Sequence, residues 1–327
     1  MPKIRVGIIG VGNCFAGLIQ GIEFYRKNPK KEPIGLMHQK LGPYRLFDLD
    51  FVSAFDVGAA KIGKDLDKAV FAEPNLVRWT ELVPSKTKVY EAPILDGIGI
   101  YVANKIKPLK NPTPPEKLRQ PILDELKRTK TEILINYLPV GSQKATEFWA
   151  EIALEAQCAF VNCIPVFIAS NESWSKKFAA RRLPIIGDDI KGQIGATIVH
   201  RVLAKLCDDR GTRIEKTYQL NVGGNTDFLN MKEQERLISK KISKTRSVLS
   251  QISKEIKADN IYVGPSDFIP FLGNTKLAFI RLEGRMFAEI PYSVELRLDV
   301  DDKANSGGLV IDAVRSAKLA LDRKMGG

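Results

Sequence analysis

The chain is poor in the residues that build metal and disulfide sites. Its 327 residues include only two histidines, His38 and His200, far apart in sequence. A His-rich metal centre is thereby excluded; any metal would lean on carboxylates and water, and no metal site is expected. The four cysteines (Cys14, Cys158, Cys163 and Cys207) form no CxxC pair and no disulfide framework, which fits a reducing cytoplasm. No apolar run approaches the roughly 20 residues that span a bilayer. The N-terminus opens directly into a strand pattern, so no signal peptide is expected. Repeats, low-complexity tails, zinc fingers and RNP-like aromatic motifs are all missing. Acidic residues are in deficit, with 38 Asp+Glu against 50 Lys+Arg and a formal charge of +12. That balance favours anionic partners. The lysines are spread along the chain rather than gathered into a basic patch, so a phosphorylated small molecule is a better partner than a specific nucleic acid.

What is present begins with alternation. IRVGII within residues 3–9 reads as a buried parallel strand, followed by a Gly-rich turn and an apolar-periodic helix to about residue 26. Residues 27–46 read as a polar, loop-like insertion before a second strand, FVSAFDV (51–57). The proline-rich stretch 107–121 reads as an exposed loop. ILINYLP (133–139), a helix over 143–157 and AFVNCIPVFI (159–168) continue the pattern. Strands alternating with helices predict a Rossmann-like, doubly wound parallel sheet. From about residue 213 the pattern changes. Segments 213–222, 277–287 and 292–300 are β-rich with alternating polarity, and one long helix is expected over about 232–257. Ile238, Ile242, Leu249, Ile252 and Ile256 make its apolar stripe. A last amphipathic helix follows Ser306-Gly307-Gly308. The expected division is an NAD-binding domain over 1–188 plus 303–327, and a second α+β catalytic and oligomerisation domain over 189–302.

Glycines at a first strand–helix turn let backbone N–H groups approach a pyrophosphate. Gly10 and Gly12 fill the first two places of GxGxxG; Phe15 occupies the third, and Gly17 is placed to relieve crowding between helix and sheet. Asp56 closes the second strand, where an acid can bond the ribose hydroxyls of NAD. The 27–46 insertion accounts for its extra distance.

Lys240 and Lys244 are spaced i, i+4 and share a helix face. Alone they read as a solvated pair. Their neighbours suggest more: Gly223-Gly224-Asn225-Thr226-Asp227 at a strand end, the turn Gly187–Gln193 with Asp188, Asp189 and Lys191, Lys276 after Gly273-Asn274-Thr275, and Asp301-Asp302 at the end of the last strand. Each could be turn chemistry. Together they supply amides, carboxylates and ammonium groups suited to a phosphorylated polyol.

These motifs resemble the myo-inositol-1-phosphate synthase family, of the shorter archaeal and bacterial type. The resemblance runs nearly end to end, through GVGN (10–13), AFDV (54–57), NYLPVGS (136–142), FVNCIPVFIAS (160–170), GDDIKGQIGAT (187–197), NVGGNTDFLNM (221–231), SKKISKT (239–245), GPSDFIPF (264–271) and RLEGRMF (281–287). It implies conversion of glucose 6-phosphate to inositol 1-phosphate by a homotetramer with tightly held NAD. It further implies catalytic roles for Lys240, Lys244, Lys276, Asp227 and Asp302. Cofactor contacts fall to Gly10, Gly12, Asn13, Asp56, Asn136, Asn162, Cys163, Asp189 and Asn225, and substrate contacts to Lys191, Gln193, Asn221, Lys244 and Lys276. The chain departs from the family pattern at Gly192, where Ser is usual, at Asn274, where Asp is usual, at Gly58, where an acid is common, and at Lys303, where Ser is usual. A related carbocyclic sugar-phosphate synthase, a dehydrogenase releasing NADH and an inactive NAD- or nucleic-acid-binding protein are the competing readings.

Overall fold

The computed structural model describes residues 3–327, apart from the side chains of Gln234, Ile238, Ser239, Lys241 and Ser266. The chain begins with β1 (Ile4–Ile9) and α1 (Asn13–Lys27), passes a small hairpin of β2 (Lys40–Leu41) and β3 (Tyr44–Arg45), and enters β4 (Leu49–Asp56). Then come α2 (Leu66–Ala69), β5 (Val89–Glu91), α3 (Pro115–Thr129), β6 (Ile133–Asn136), α4 (Gln143–Glu155), β7 (Ala159–Asn162), α5 (Glu172–Ala180) and β8 (Ile185–Ile186). Six of these strands form one parallel sheet in the order β5-β4-β1-β6-β7-β8. The order reverses beside β1, which creates a crevice at the strands' carboxyl ends. Both faces are covered, so the strands read as apolar runs. Ile4, Val6, Ile8, Ile133 and Val161 face one core with α1, while Leu134, Phe160 and Trp149 belong to the other.

The second half carries α6 (Ala196–Asp209), β9 (Arg213–Gly223), α7 (Thr226–Asn230), α8 (Ile238–Leu249), β10 (Ile261–Phe268), β11 (Thr275–Arg285), β12 (Pro291–Asp301) and α9 (Ala304–Asp322). Its sheet runs β10-β9-β11-β12, with β9 and β10 parallel and the other pairs antiparallel. Ala204 of α6 and Val248 of α8 pack on Ile214, Val263, Ile280 and Leu282. The opposite face of the sheet is uncovered, leaving Tyr262 44% and Phe279 38% exposed. α9 returns to the first sheet and packs beside α1, placing Val310, Ile311, Val314 and Ala317 in its core.

Several expectations are corrected. Residues 115–121 are not loop: Pro115 sits at the start of α3, where a missing N–H is harmless, and Pro121 is carried inside the helix. The long helix is shorter, ending at Leu249. Beyond it, Ser253 is tied to Asp208 through both its N–H and its hydroxyl. Its apolar side is led by Val248, with Leu249 and Ile252 packed against that core, whereas Ile242 is exposed; the Ile238 side chain lies outside the described residues. α9 starts before the Ser-Gly-Gly run, because Asp301 Oδ1 accepts the N–H groups of Lys303 and Ala304. β10 is an additional strand, hidden in sequence by its Gly-Pro pair and tolerated at a sheet edge.

His200 is fully buried in this layer, with Nε2 2.7 Å from Thr217 Oγ1 and Nδ1 3.3 Å from Gln219 Oε1. Burial pushes its pKa down to about 4. The unfolded chain binds this proton below about pH 6.5 while the folded chain does not, so stability is lost as pH falls from about 6.5 towards 4. The loss is on the order of 3 kcal/mol. Urea midpoints at pH 7 and pH 4.5 should fall more steeply for the native chain than for His200→Gln; equal falls would exclude the mechanism.

Candidate active site

Two adjoining cavities open at the carboxyl ends of the parallel strands. The first is lined by Gly10, Gly12, Asn13, Asp56 and the 92–102 loop. Gly10 has φ +90°, and a Cβ there would stand 2.9 Å from the Tyr137 carbonyl oxygen, so the turn requires glycine. A Cβ on Gly12 would project into open space. Gly12 caps α1 without a side-chain bond, which leaves the helix N-terminus available to an anion. Asp56 accepts Val11 N at 2.8 Å and Gly58 N at 2.7 Å, so its carboxylate holds the glycine turn to the end of β4. The Gly58 N–H thus takes up part of Asp56's bonding capacity. The amide Nδ2 of Asn13 and the hydroxyl of Tyr137 are buried with no partner among the described residues. A glycine cradle, an open helix end, a terminal acid and unsatisfied polar atoms fit a dinucleotide.

The second cavity shares Cys14, Tyr137, Leu138 and Asp227 with the first. Lys191, Lys240, Lys244, Lys276 and Lys303 line it against Asp189, Asp227 and Asp302. α8 therefore turns Lys240 and Lys244 inward rather than to solvent. Burial pushes the Lys244 pKa well below the ordinary lysine value, and nearby Lys276 and Lys240 push it further. Lys240 is lowered by burial too, but Asp189 and Asp227 partly support its charge. Burial opposes the Asp302 carboxylate, yet Lys276 and Lys303 outweigh it and hold its pKa well below the usual range. Lys276 Nζ lies 3.2 Å from Asp302 Oδ1. Asp189 pairs with Lys191 and accepts Ser243 Oγ at 2.7 Å. α6 opens onto this cavity with Gly195 as its cap, no side-chain cap bond and no acid in its first turn.

The structure brings most of the expected residues together and separates a few. Asn221 and Cys163 line the lysine cavity. Asn225 caps α7 and donates to Asp302 Oδ2 at 3.3 Å, behind the cavity wall. Asn136 and Asn162 are fully buried and line neither cavity; they bond each other at 2.9 Å, and Asn162 holds Asp188. Gln193 is turned away, its amide donating to the Gly35 carbonyl. Gly17 meets Lys303 and Trp79 rather than the sheet. Tyr137, Cys14 and Lys303 were not expected as site residues. Tyr137 stands inside a recognisable motif and Cys14 directly follows one, but their direction into the cavity depends on the fold.

The family profile described as myo-inositol-1-phosphate synthase matches residues 195–303. Inositol-3-phosphate synthase of Mycobacterium tuberculosis is 50% identical over 327 residues, covering 99% of this chain and 88% of that protein. The chain belongs to the myo-inositol-1-phosphate synthase family. Inositol-3-phosphate synthase of Corynebacterium glutamicum is 47% identical, over 99% of this chain and 90% of that protein. Among solved structures, Ari2 shares 31% identity and a TM-score of 0.80, covering 99% of this chain and 89% of its own. A myo-inositol-1-phosphate synthase-related protein of Thermotoga maritima has the same fold, with a TM-score of 0.80 at 23% identity over 99% of this chain and 89% of its own.

One departure from the synthase family pattern has a steric cause. A Cβ on Gly192 would lie 2.6 Å from Asn305 Nδ2 and 2.9 Å from its Cγ. Asn305 is not free to move, since its carbonyl accepts Gln193 N and its side chain accepts Ile194 N at 2.8 Å. Gly192→Ser should therefore destabilise the chain by about 1–3 kcal/mol. Thermal unfolding should show a smaller loss for Gly192→Ser in an Asn305→Ala background; an equal loss in both would refute the clash.

Proposed function

We propose that this chain is an inositol-3-phosphate synthase, an isomerase that uses NAD to convert glucose 6-phosphate to myo-inositol 1-phosphate (1D-myo-inositol 3-phosphate). The observation that carries the reading is the junction itself. A cavity built for a dinucleotide meets a cavity lined by lysines at Cys14, Tyr137, Leu138 and Asp227. A redox cofactor and an anionic sugar would face each other there.

NAD, when bound, supplies reversible hydride transfer at C5 of the open-chain sugar. The α1 N-terminus and the Gly10–Gly12 turn would hold its pyrophosphate and Asp56 its ribose. Within the lysine cavity the uncapped start of α6 and the ammonium groups of Lys191 and Lys276 favour the phosphate dianion. Lys240 is suited to the C5 oxygen, taking its proton as C5 is oxidised and returning it on reduction. A C5 ketone acidifies C6. Burial and two neighbouring cations make Lys244 the better acceptor for the C6 proton. The C6 carbon then attacks the C1 aldehyde, closing the ring, and the new C1 oxyanion takes the proton that Lys244 removed from C6. Positioned ammonium groups in a water-poor cavity stabilise such oxyanions. Atoms balance without net oxidation.

The domain division at residues 188/189 and 302/303 accompanies this reading, since Asp189, Asp302 and Lys303 at those boundaries line the lysine cavity. A homotetramer is supported by the uncovered sheet face with Tyr262 and Phe279, and by Phe271 and Phe287, 87% and 96% exposed on adjoining loops. A cytoplasmic location is supported by four free cysteines. No described helix is long and apolar enough to cross a membrane.

Incubation with ¹³C-labelled glucose 6-phosphate and NAD should give a cyclic inositol phosphate by NMR with no accumulating NADH absorbance. Accumulating NADH would instead reveal a dehydrogenase, and unchanged sugar would refute the reading. Lys244→Met should lower kcat by about 10²–10⁴-fold. Because the amine must be unprotonated to accept the C6 proton, kcat/KM should rise with pH along a limb lying below the ordinary lysine range. That limb should be missing from Lys244→Met; its persistence would move the role elsewhere.

A further inference from the structure

Lys303 stands at the turn from β12 into α9, where the family pattern usually has Ser. It is 1% exposed. Its Nζ lies 3.0 Å from Asp302 Oδ2, 3.1 Å from Asp227 Oδ2 and 3.5 Å from Cys14 Sγ. An added Cβ at Gly17 would stand 3.0 Å from Lys303 Cβ, so α1 packs closely on the backbone at position 303.

The other oxygen of Asp302 faces Lys276. Charges therefore alternate through Lys276, Asp302, Lys303 and Asp227, from the lysine cavity to the wall shared with the dinucleotide cavity. Both lysines line the lysine cavity, but Lys276 is 23% exposed whereas Lys303 is 1% exposed and held between the two carboxylates. Without its ammonium, Asp227 and Asp302 would face a buried gap as like charges, with Asp302 keeping only Lys276.

We propose that Lys303 is a positioning residue, a built-in counter-cation that fixes Asp302 on Lys276 and Asp227 on the wall between the cavities. Its kinetic consequence rests on the synthase reading; its structural consequence does not. Replacing the lysine by a small residue leaves a hole between two carboxylates that an ammonium ion can enter, and ions binding only the folded state raise its melting temperature.

The test compares Lys303→Ser and Lys303→Met with the native chain in ammonium chloride and in equal tetramethylammonium chloride, whose cation is too large for the hole. Ammonium should raise the melting temperature of Lys303→Ser and leave the native chain unchanged. In turnover of glucose 6-phosphate, Lys303→Ser should lose about 10- to 100-fold in kcat with KM little changed, as expected when a group orienting an active residue is removed. Ammonium should restore much of that loss. Lys303→Met, which fills the hole with an uncharged chain, should lose kcat without recovery. A native-like kcat in both variants overturns the proposal, as does a Lys303→Ser chain in which ammonium moves neither melting temperature nor kcat. If Lys303→Ser does not fold, Lys303→Met decides: unchanged kcat overturns the proposal, and lowered kcat at unchanged KM supports it. A native chain inert towards glucose 6-phosphate would refute the synthase reading, leaving the ammonium-dependent melting difference to judge Lys303.

Discussion

The site depends on the ionisation of Asp302. Its carboxylate is buried, and a buried carboxylate stays charged only when cations repay its desolvation. Lys276 and Lys303 do so from opposite sides. Removing one partner of such a buried pair is typically destabilising by about 3–5 kcal/mol, so the arrangement is as much a constraint on folding as on chemistry. Strand register delivers it. β11 and β12 pair Lys276 with Val300 and Thr275 with Asp301, and Asp302 N donates to the Asn274 carbonyl at 3.0 Å. A one-residue slip would turn Lys276 to the other face.

That junction also joins the two halves of the molecule. β12 ends on Asp301, whose carboxylate starts α9, and α9 carries the chain back onto the parallel sheet. The residues between strand and helix, Asp302 and Lys303, are thereby held against Cys14 of α1 and Asp227 of α7. Two independent sheets meet at one short ionic chain. The cavities on either side inherit opposite characters: one has backbone N–H groups and a carboxylate, the other an excess of ammonium groups.

Much of the nucleotide half was legible in the sequence. Apolar runs, the turn at Gly10 and the terminal Asp56 follow local rules of strand, turn and helix. α3 was hidden because prolines at 112, 114 and 115 read as loop, although Pro115 opens a helix without penalty. β10 was hidden by Gly264 and Pro265, which an edge strand tolerates. In the site, Lys240 and Lys244 were visible as a shared face, but not which way the face turned. Asn136, Asn162 and Gln193 carried the right chemistry in the right motifs, yet their hydrogen bonds go to the protein itself.

The sequence alone determined the alternation of strands and helices, the scarcity of metal-binding side chains, the cationic balance and the motifs shared with the synthase family. All of these are local or additive properties of the chain. Tertiary structure decided which lysines are buried, which carboxylates hold them and where the two cavities join. Those outcomes depend on pairs far apart in the chain, such as Cys14 with Lys303 and Lys303 with Asp227. The charge state of a buried group is set by whatever packing places beside it, and no periodicity along the sequence encodes that neighbour.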